Sequence, residues 1–144
     1  MSVKIKRITL WRIEVENKPG VLARTLEPLA GAGWDLQVVM GYPETGDKAA
    51  IEIYPIAGKK AVAAAQAAGL TASSIPTLLV EGDNRAGLGH VIAKAIGDAG
   101  INAGFLVAQV VGRRYSAVVG FNSDEDAKTA AALIKKATAV KKNK

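Results

Sequence analysis

Slid along itself, the 144-residue sequence matches at an offset of 67 residues and stays in register without a gap. Glu14 falls on Glu81, Asn17 on Asn84, Gly20 on Gly87, Ala32 on Ala99, Gly33 on Gly100 and Ala50 on Ala117. Similar pairs lie between them: Ile13 with Val80, Lys18 with Arg85, Leu29 with Ile96, Asp35 with Asn102, Ile51 with Val118 and Tyr54 with Phe121. The identities fall on loop glycines and helix ends, where backbone geometry is demanding, which is the signature of a duplicated unit. Copies of about 70 residues bury only about 60% of their unfolded surface and are marginal alone. Two on one chain are therefore expected to stabilise each other, with domains at residues 1–73 and 74–144.

Periodicity gives each copy its plan. Over residues 8–16, Trp11, Ile13 and Val15 alternate with Arg12, Glu14 and Glu16, the pattern of a half-buried strand. Asn17-Lys18-Pro19-Gly20 breaks it. Pro19 suits a first helical turn, and Leu22, Leu26 and Leu29 continue a helix to Gly31-Ala32-Gly33, with Pro28 expected to kink or shorten it. Strands over 34–42 and 48–56 flank a hairpin loop, an alanine-rich helix covers 59–68, and 70–74 can supply a short fourth strand. The second copy reads as strand 77–81, helix 88–99, strands 101–111 and 115–121, and helix 124–137. Its fourth strand has only lysine-rich 138–144 to draw on. Strand, helix, strand, strand, helix is the ferredoxin-like order, so the expected class is α+β: two βαββαβ repeats side by side, antiparallel sheets with helices on one face.

Composition excludes much. With no cysteine and one histidine, His90, disulfide scaffolds, thiol nucleophiles, Cys-ligated zinc and multi-histidine metal sites are out, and a reducing, cytoplasmic setting is expected. Arg12 and Glu14 interrupt the apolar stretch after the basic N-terminus, against a signal segment, and no run reaches the ~20 apolar residues of a membrane span. The net charge of +6 falls to +1 without Lys135, Lys136, Lys141, Lys142 and Lys144, and to −2 without Lys4, Lys6 and Arg7 as well. The basicity is terminal, whereas a nucleic-acid surface wants a folded basic stripe with aromatics. Arg113-Arg114 at a turn and an exposed His90 read as solvated charge, and Trp11 and Trp34 as core or pair-interface residues rather than stacking platforms. Gly87-Leu88-Gly89-His90 has the wrong spacing for a nucleotide loop, so no cofactor or metal is expected.

Chemistry is best placed at the strand-to-helix loops, because a helix N-terminus presents unpaired N–H groups and partial positive charge suited to a carboxylate. Gly20 and Gly87 allow close approach, and Asn17 and Asn84 add amides that either cap the helix or bind a ligand.

Val15-Glu16-Asn17-Lys18-Pro19-Gly20-Val21-Leu22, then a helix, then Ala32-Gly33-Trp34-Asp35-Leu36, resembles the ACT domain, a regulatory module of amino-acid metabolism. Asp83-Asn84-Arg85-Ala86-Gly87-Leu88 with Ala99-Gly100-Ile101-Asn102 resembles it again, and together they cover residues 4–137 with no catalytic domain attached. The resemblance implies a ferredoxin-like fold, side-by-side pairing of domains, and amino-acid effectors at the pair's interface. In serine-sensing members a loop asparagine and a second asparagine after the first helix hold the effector. Those positions are Asn17 and Asp35 in copy one, Asn84 and Asn102 in copy two. Where members often carry histidine two residues before the loop asparagine, this chain has Val15 and Gly82.

Asn84 and Asn102 bracket a helix of about twelve residues, so roughly 18 Å separates them, too far for one amino acid. Antiparallel copies would bring loop against helix end. The expected ligand residues are Asn17, Lys18, Gly20 and Val21 with Asn102, and Asn84, Arg85, Gly87 and Leu88 with Asp35; pairing with a second chain would change only the partners. The expected function is a non-catalytic, allosteric amino-acid sensor, dimeric and acting on a protein partner. Two alternatives share the topology: an acylphosphatase-like hydrolase using Arg85 and Asn102, and an RNA-binding module, which would need sheet aromatics that Tyr54, Tyr115 and Phe121 do not cluster to provide.

Overall fold

The computed structural model describes residues 3–139, which form two compact units. One unit is Thr9–Ser74. It contains strand β2 (Trp11–Glu16), helix α1 (Val21–Gly31), β3 (Val38–Pro43), β4 (Lys48–Tyr54), α2 (Lys59–Ala67) and the two-residue β5 (Thr71–Ala72). The other joins the residues up to Ile8 to those from Ile75 onward. It contains β1 (Lys4–Ile8), β6 (Thr77–Asp83), α3 (Leu88–Asp98), β7 (Phe105–Val111), β8 (Arg114–Gly120) and α4 (Asp124–Thr138). Each sheet is antiparallel, in the orders β3-β4-β2-β5 and β1-β6-β8-β7. Both are ferredoxin-like orders, the second with its last strand taken from the front of the chain. Among the described residues no helix is long and apolar enough to cross a membrane.

That exchange corrects three sequence expectations. Residues 8–16 are not one strand: Ile8 ends β1, and Trp11 opens β2 in the other sheet. The N-terminal residues do not belong with the first copy, as a domain of 1–73 would require. The missing fourth strand of the second copy is β1, not 138–144; Thr138 ends α4, and 140–144 lie outside the described residues. The physical reason is burial. Val3, just before β1, and Ile8 at its end are under 10% exposed, Lys4 to Ile8 pair in register with Glu81 to Thr77, and Arg7 makes an ion pair with Asp124 at the start of α4. The sequence of 138–144 has Val140 as its one large apolar side chain, followed by four polar or charged residues, against two buried apolar anchors at Val3 and Ile8.

The repeat register also slips. Glu14 faces Ala50 and Glu81 faces Ser116, so Ala50 corresponds to Ser116, Ile51 to Ala117 and Tyr54 to Gly120, an offset of 66. The β3 and β7 pairs keep 67, since Val38 opposes Tyr54 as Phe105 opposes Gly120. The β7–β8 turn is therefore one residue shorter than the β3–β4 turn. An ungapped alignment could not register that, and its Ala50–Ala117, Ile51–Val118 and Tyr54–Phe121 pairs are displaced.

Each unit buries one sheet face under its helices. In Thr9–Ser74 the core includes Leu29, Ile51, Ile53 and Leu70, with Trp11 and Trp34 packed against it, as expected. In the other, Leu78, Val80, Ile92, Ile96, Val119 and Ile134 form the centre. Helix α1 runs three residues past Pro28, so the proline does not end it; Gly33 at φ +70° makes the exit, with the Trp34 N–H donating to the Leu29 carbonyl at 3.0 Å. The strands after α1 and α3 start at Val38 and Phe105, four residues later than alternation suggested.

Candidate functional site

The four helix starts are not alike. At α4 the Ser123 hydroxyl accepts from the Asp126 N–H at 3.0 Å, and Asp124, Glu125 and Asp126 fill the first turn, so its orphan donors and its dipole are answered locally. Helices α1 and α3 instead start from glycines, Gly20 at φ +86° and Gly87 at φ +83°, with no side-chain cap and no acid in the first turn. Pro19 stands one residue before the cap, outside the helix rather than in its first turn. Neither asparagine caps: the Asn17 N–H donates to the Asp47 carbonyl at 2.7 Å and the Asn84 N–H to the Arg113 carbonyl at 2.8 Å. The backbone of each loop is thus tied to the tip of its own hairpin, and the side-chain amides make no hydrogen bond among the described residues.

Beside the first of these helix starts lies a cleft of about 230 Å³, contained within Thr9–Ser74. Asn17, Lys18, Val21 and Leu22 form one wall, the 41–43 segment of β3 the other, and Val15, Ala49 and Ile51 are the sheet residues between. It brings together Asn17, Lys18 and Val21 of the residues expected from sequence, with Gly20 supplying the cap beside them. Lys18 pairs with Glu16 at 2.7 Å, and both are largely exposed. Sequence reasoning missed Gly41, Pro43 and Ala49. Gly41 is the informative one: its φ is ordinary, a Cβ there would meet nothing within 4 Å, and it shares the helix-side face with its partner Ile51. Glycine inside a strand is itself a signal of close approach, and it was available in the sequence.

The far wall is pinned from the sheet's other face. Tyr42, between Gly41 and Pro43, turns its side chain away from the helices and donates to Glu52 Oε2 at 2.7 Å. Glu52 is fully buried, and Arg12 opposite it on β2 donates to Glu44 at 2.6 Å. Burial first, then the hydrogen bond to Glu52, raises the Tyr42 pKa above its ordinary value. Burial opposes the Arg12 charge, yet Tyr42, Glu44 and Glu52 outweigh it and hold its pKa above the usual one.

The remaining expected residues lie apart from this cleft. Asp35 is exposed beyond the C-terminal end of α1, about 16 Å of helix away from Asn17, and Asn102 is exposed beyond α3. Arg85 donates to the carbonyl of Thr138, the last residue of α4. Leu88 is core, only 2% exposed, and His90 is exposed as expected.

In the second unit the positions corresponding to Val15, Val21, Leu22, Pro43 and Ala49 are Gly82, Leu88, Gly89, Val110 and Tyr115, from the strand pairs and the helix starts. Gly82 is glycine because β1 passes over it, with Val3 Cα 3.0 Å from where a Cβ would stand. Tyr115 is 5% exposed, and its hydroxyl lies 3.7 Å from the Cβ position of Gly89. That hydroxyl is buried without a hydrogen-bond partner among the described residues, and burial raises its pKa.

No family model and no curated protein matches the sequence. Solved structures do match in fold. Protein BT0572 from Bacteroides thetaiotaomicron is 16% identical, with a TM-score of 0.71 over 89% of this chain and 88% of its own. The ligand-free regulatory subunit of aspartate kinase from Thermus thermophilus is 15% identical, with a TM-score of 0.62 over 96% and 98%. The corresponding subunit from Thermus flavus is 17% identical, with a TM-score of 0.59 over 95% and 97%.

Proposed function

We propose that this chain, a tandem ACT-domain protein in its fold, is a non-catalytic regulatory protein that binds an amino acid in the cleft beside Asn17. The observation that carries the reading is the coincidence of an uncapped helix start, an uncommitted Asn17 amide and open space at Gly41. A ligand carboxylate would take the Leu22 and Ala23 N–H groups of α1, whose first turn holds no acid and whose Val21 N–H already donates to the Lys18 carbonyl, while Glu16 at the cleft is paired with Lys18. Asn17 and Lys18 supply further polar contacts, and Val15, Val21 and Ile51 an apolar floor. The volume equals about eight waters and lies below the ~300 Å³ of drug-sized sites, which suits one small metabolite.

Asp35 and Asn102 are out of reach of the loops of their own units, so either enters a site only from another ACT unit. A second copy of the chain is a natural source. Edge strand β7 leaves Leu106, Val107, Val110 and Val111 between 42% and 68% exposed, and an edge so apolar is a template for pairing. In this reading the protein is a cytoplasmic homodimer, and occupancy alters how its units pair and so how it acts on a protein partner.

The test is a melting-temperature and calorimetric screen of the twenty amino acids. A binder present at 100 times its Kd adds about 2.7 kcal/mol of stability. Asn17→Ala and Gly41→Leu should abolish that gain while melting, ligand-free, near the parent. Absence of any stabilising amino acid would refute the reading.

A further inference from the structure

The two units distribute bulk at the helix start in opposite ways. In Thr9–Ser74 the helix contributes Leu22, which is 44% exposed, and the strand contributes Ala49, leaving the space between them open. In the other unit the helix contributes Gly89 and the strand Tyr115, whose ring spans from β8 to the first turn of α3. Gly89 has no positive φ to require glycine, and glycine within a helix costs about 1 kcal/mol relative to alanine. A Cβ there would stand 3.7 Å from the Tyr115 hydroxyl, in ordinary contact, so the tyrosine takes the space that a longer side chain such as leucine would need.

We infer that Tyr115 occupies the place where a ligand would sit in the second unit, so that of the two equivalent helix-start clefts only the one beside Asn17 is open. The ligand half of this statement rests on the reading of the Asn17 cleft; the closure of its counterpart rests on Tyr115 and Gly89 alone. The loop around Asn84 keeps the geometry of the Asn17 loop, including Gly87 and the tie to the hairpin, but not the room behind it. Its Arg85 is correspondingly engaged with the end of α4.

Two measurements on the full chain test this. Backbone amide shifts are followed during titration with each amino acid, and with p-cresol as a probe of Tyr115→Ala. An amino acid that moves residues 17–22 should leave 84–89 unmoved in the parent, and p-cresol should move 82, 87–89 and 110 only in the variant. Separately, Gly89→Leu should lower the melting temperature by about 5 °C or more. Most of that loss should return in Gly89→Leu/Tyr115→Ala, which recreates the Leu22–Ala49 pair; Tyr115→Val replaces Tyr115→Ala should the latter not fold. Parent amides at 84–89 that respond to an amino acid, or a Gly89→Leu cost undiminished by the second substitution, would overturn the inference. Failure of every amino acid to move 17–22 removes the proposed function, while the coupling of 89 and 115 still decides whether the second cleft is plugged.

Discussion

The Tyr42 hydroxyl donates to the carboxylate of Glu52 at 2.7 Å, a bond between adjacent strands that ends on a fully buried acid. It fixes the face of β3 opposite the cleft and so holds Gly41 and Pro43 in place. Glu52 Oε1 has no hydrogen bond among the described residues, which makes the Oε2 bond harder to lose. Tyr42→Phe should destabilise the protein by about 1 to 3 kcal/mol, the cost of an unsatisfied buried acceptor, and should weaken ligand binding as the wall loosens. Chemical denaturation and calorimetry on the variant measure both.

Alkaline stability follows from the burial of Tyr42 and Tyr115. The Tyr42 and Tyr115 pKa values are raised by burial from the ordinary 10.0, so the folded state holds these protons more tightly than the unfolded chain. Their contribution is complete below pH 10.0 and disappears as pH climbs through the folded values. Melting temperature should therefore fall above about pH 10, and less steeply in Tyr115→Phe. Because the Tyr115 hydroxyl has no partner among the described residues, that variant should be at least as stable as the parent at pH 7.

Removing residues 1–8 tests the exchanged strand. Burial of Val3 and Ile8 contributes about 1.5 to 3 kcal/mol each, a large part of a total stability of about 5 to 15 kcal/mol. Hydrogen exchange should accelerate throughout β6, β8 and α4 in the truncated chain, while β2 and β4 keep their protection. Equal loss in both units would contradict the division of the chain.

Pairing through β7 has a direct readout. Val107→Lys and Val110→Lys place charge on opposite faces of the edge strand, since Val107 opposes Val118 and Val110 opposes Tyr115, on faces of opposite sense. Sedimentation should show a dimer for the parent and a monomer for the double variant, with far-ultraviolet circular dichroism unchanged. A dimer that survives both substitutions would move the contact elsewhere.

Much of this protein was legible in its residues. Alternation in Trp11 to Glu16, the leucine spacing of α1 and the recurring Asn-x-x-Gly loops are local signals, set by side-chain period and by positions that only glycine tolerates, and they yielded the repeat, the fold class and the Asn17 loop. Three features depended on contacts distant in sequence. Val3 and Ile8 carry nothing that says which sheet will bury them, so only packing against Glu81 to Thr77 assigned β1 to the far unit. A hairpin shortened by one residue moved Tyr115 onto the face occupied by Ala49 in the other copy. That single shift, paired with Gly89, separates an open cleft from a filled one, because whether space remains depends on the summed volume of side chains that meet only once the chain has folded.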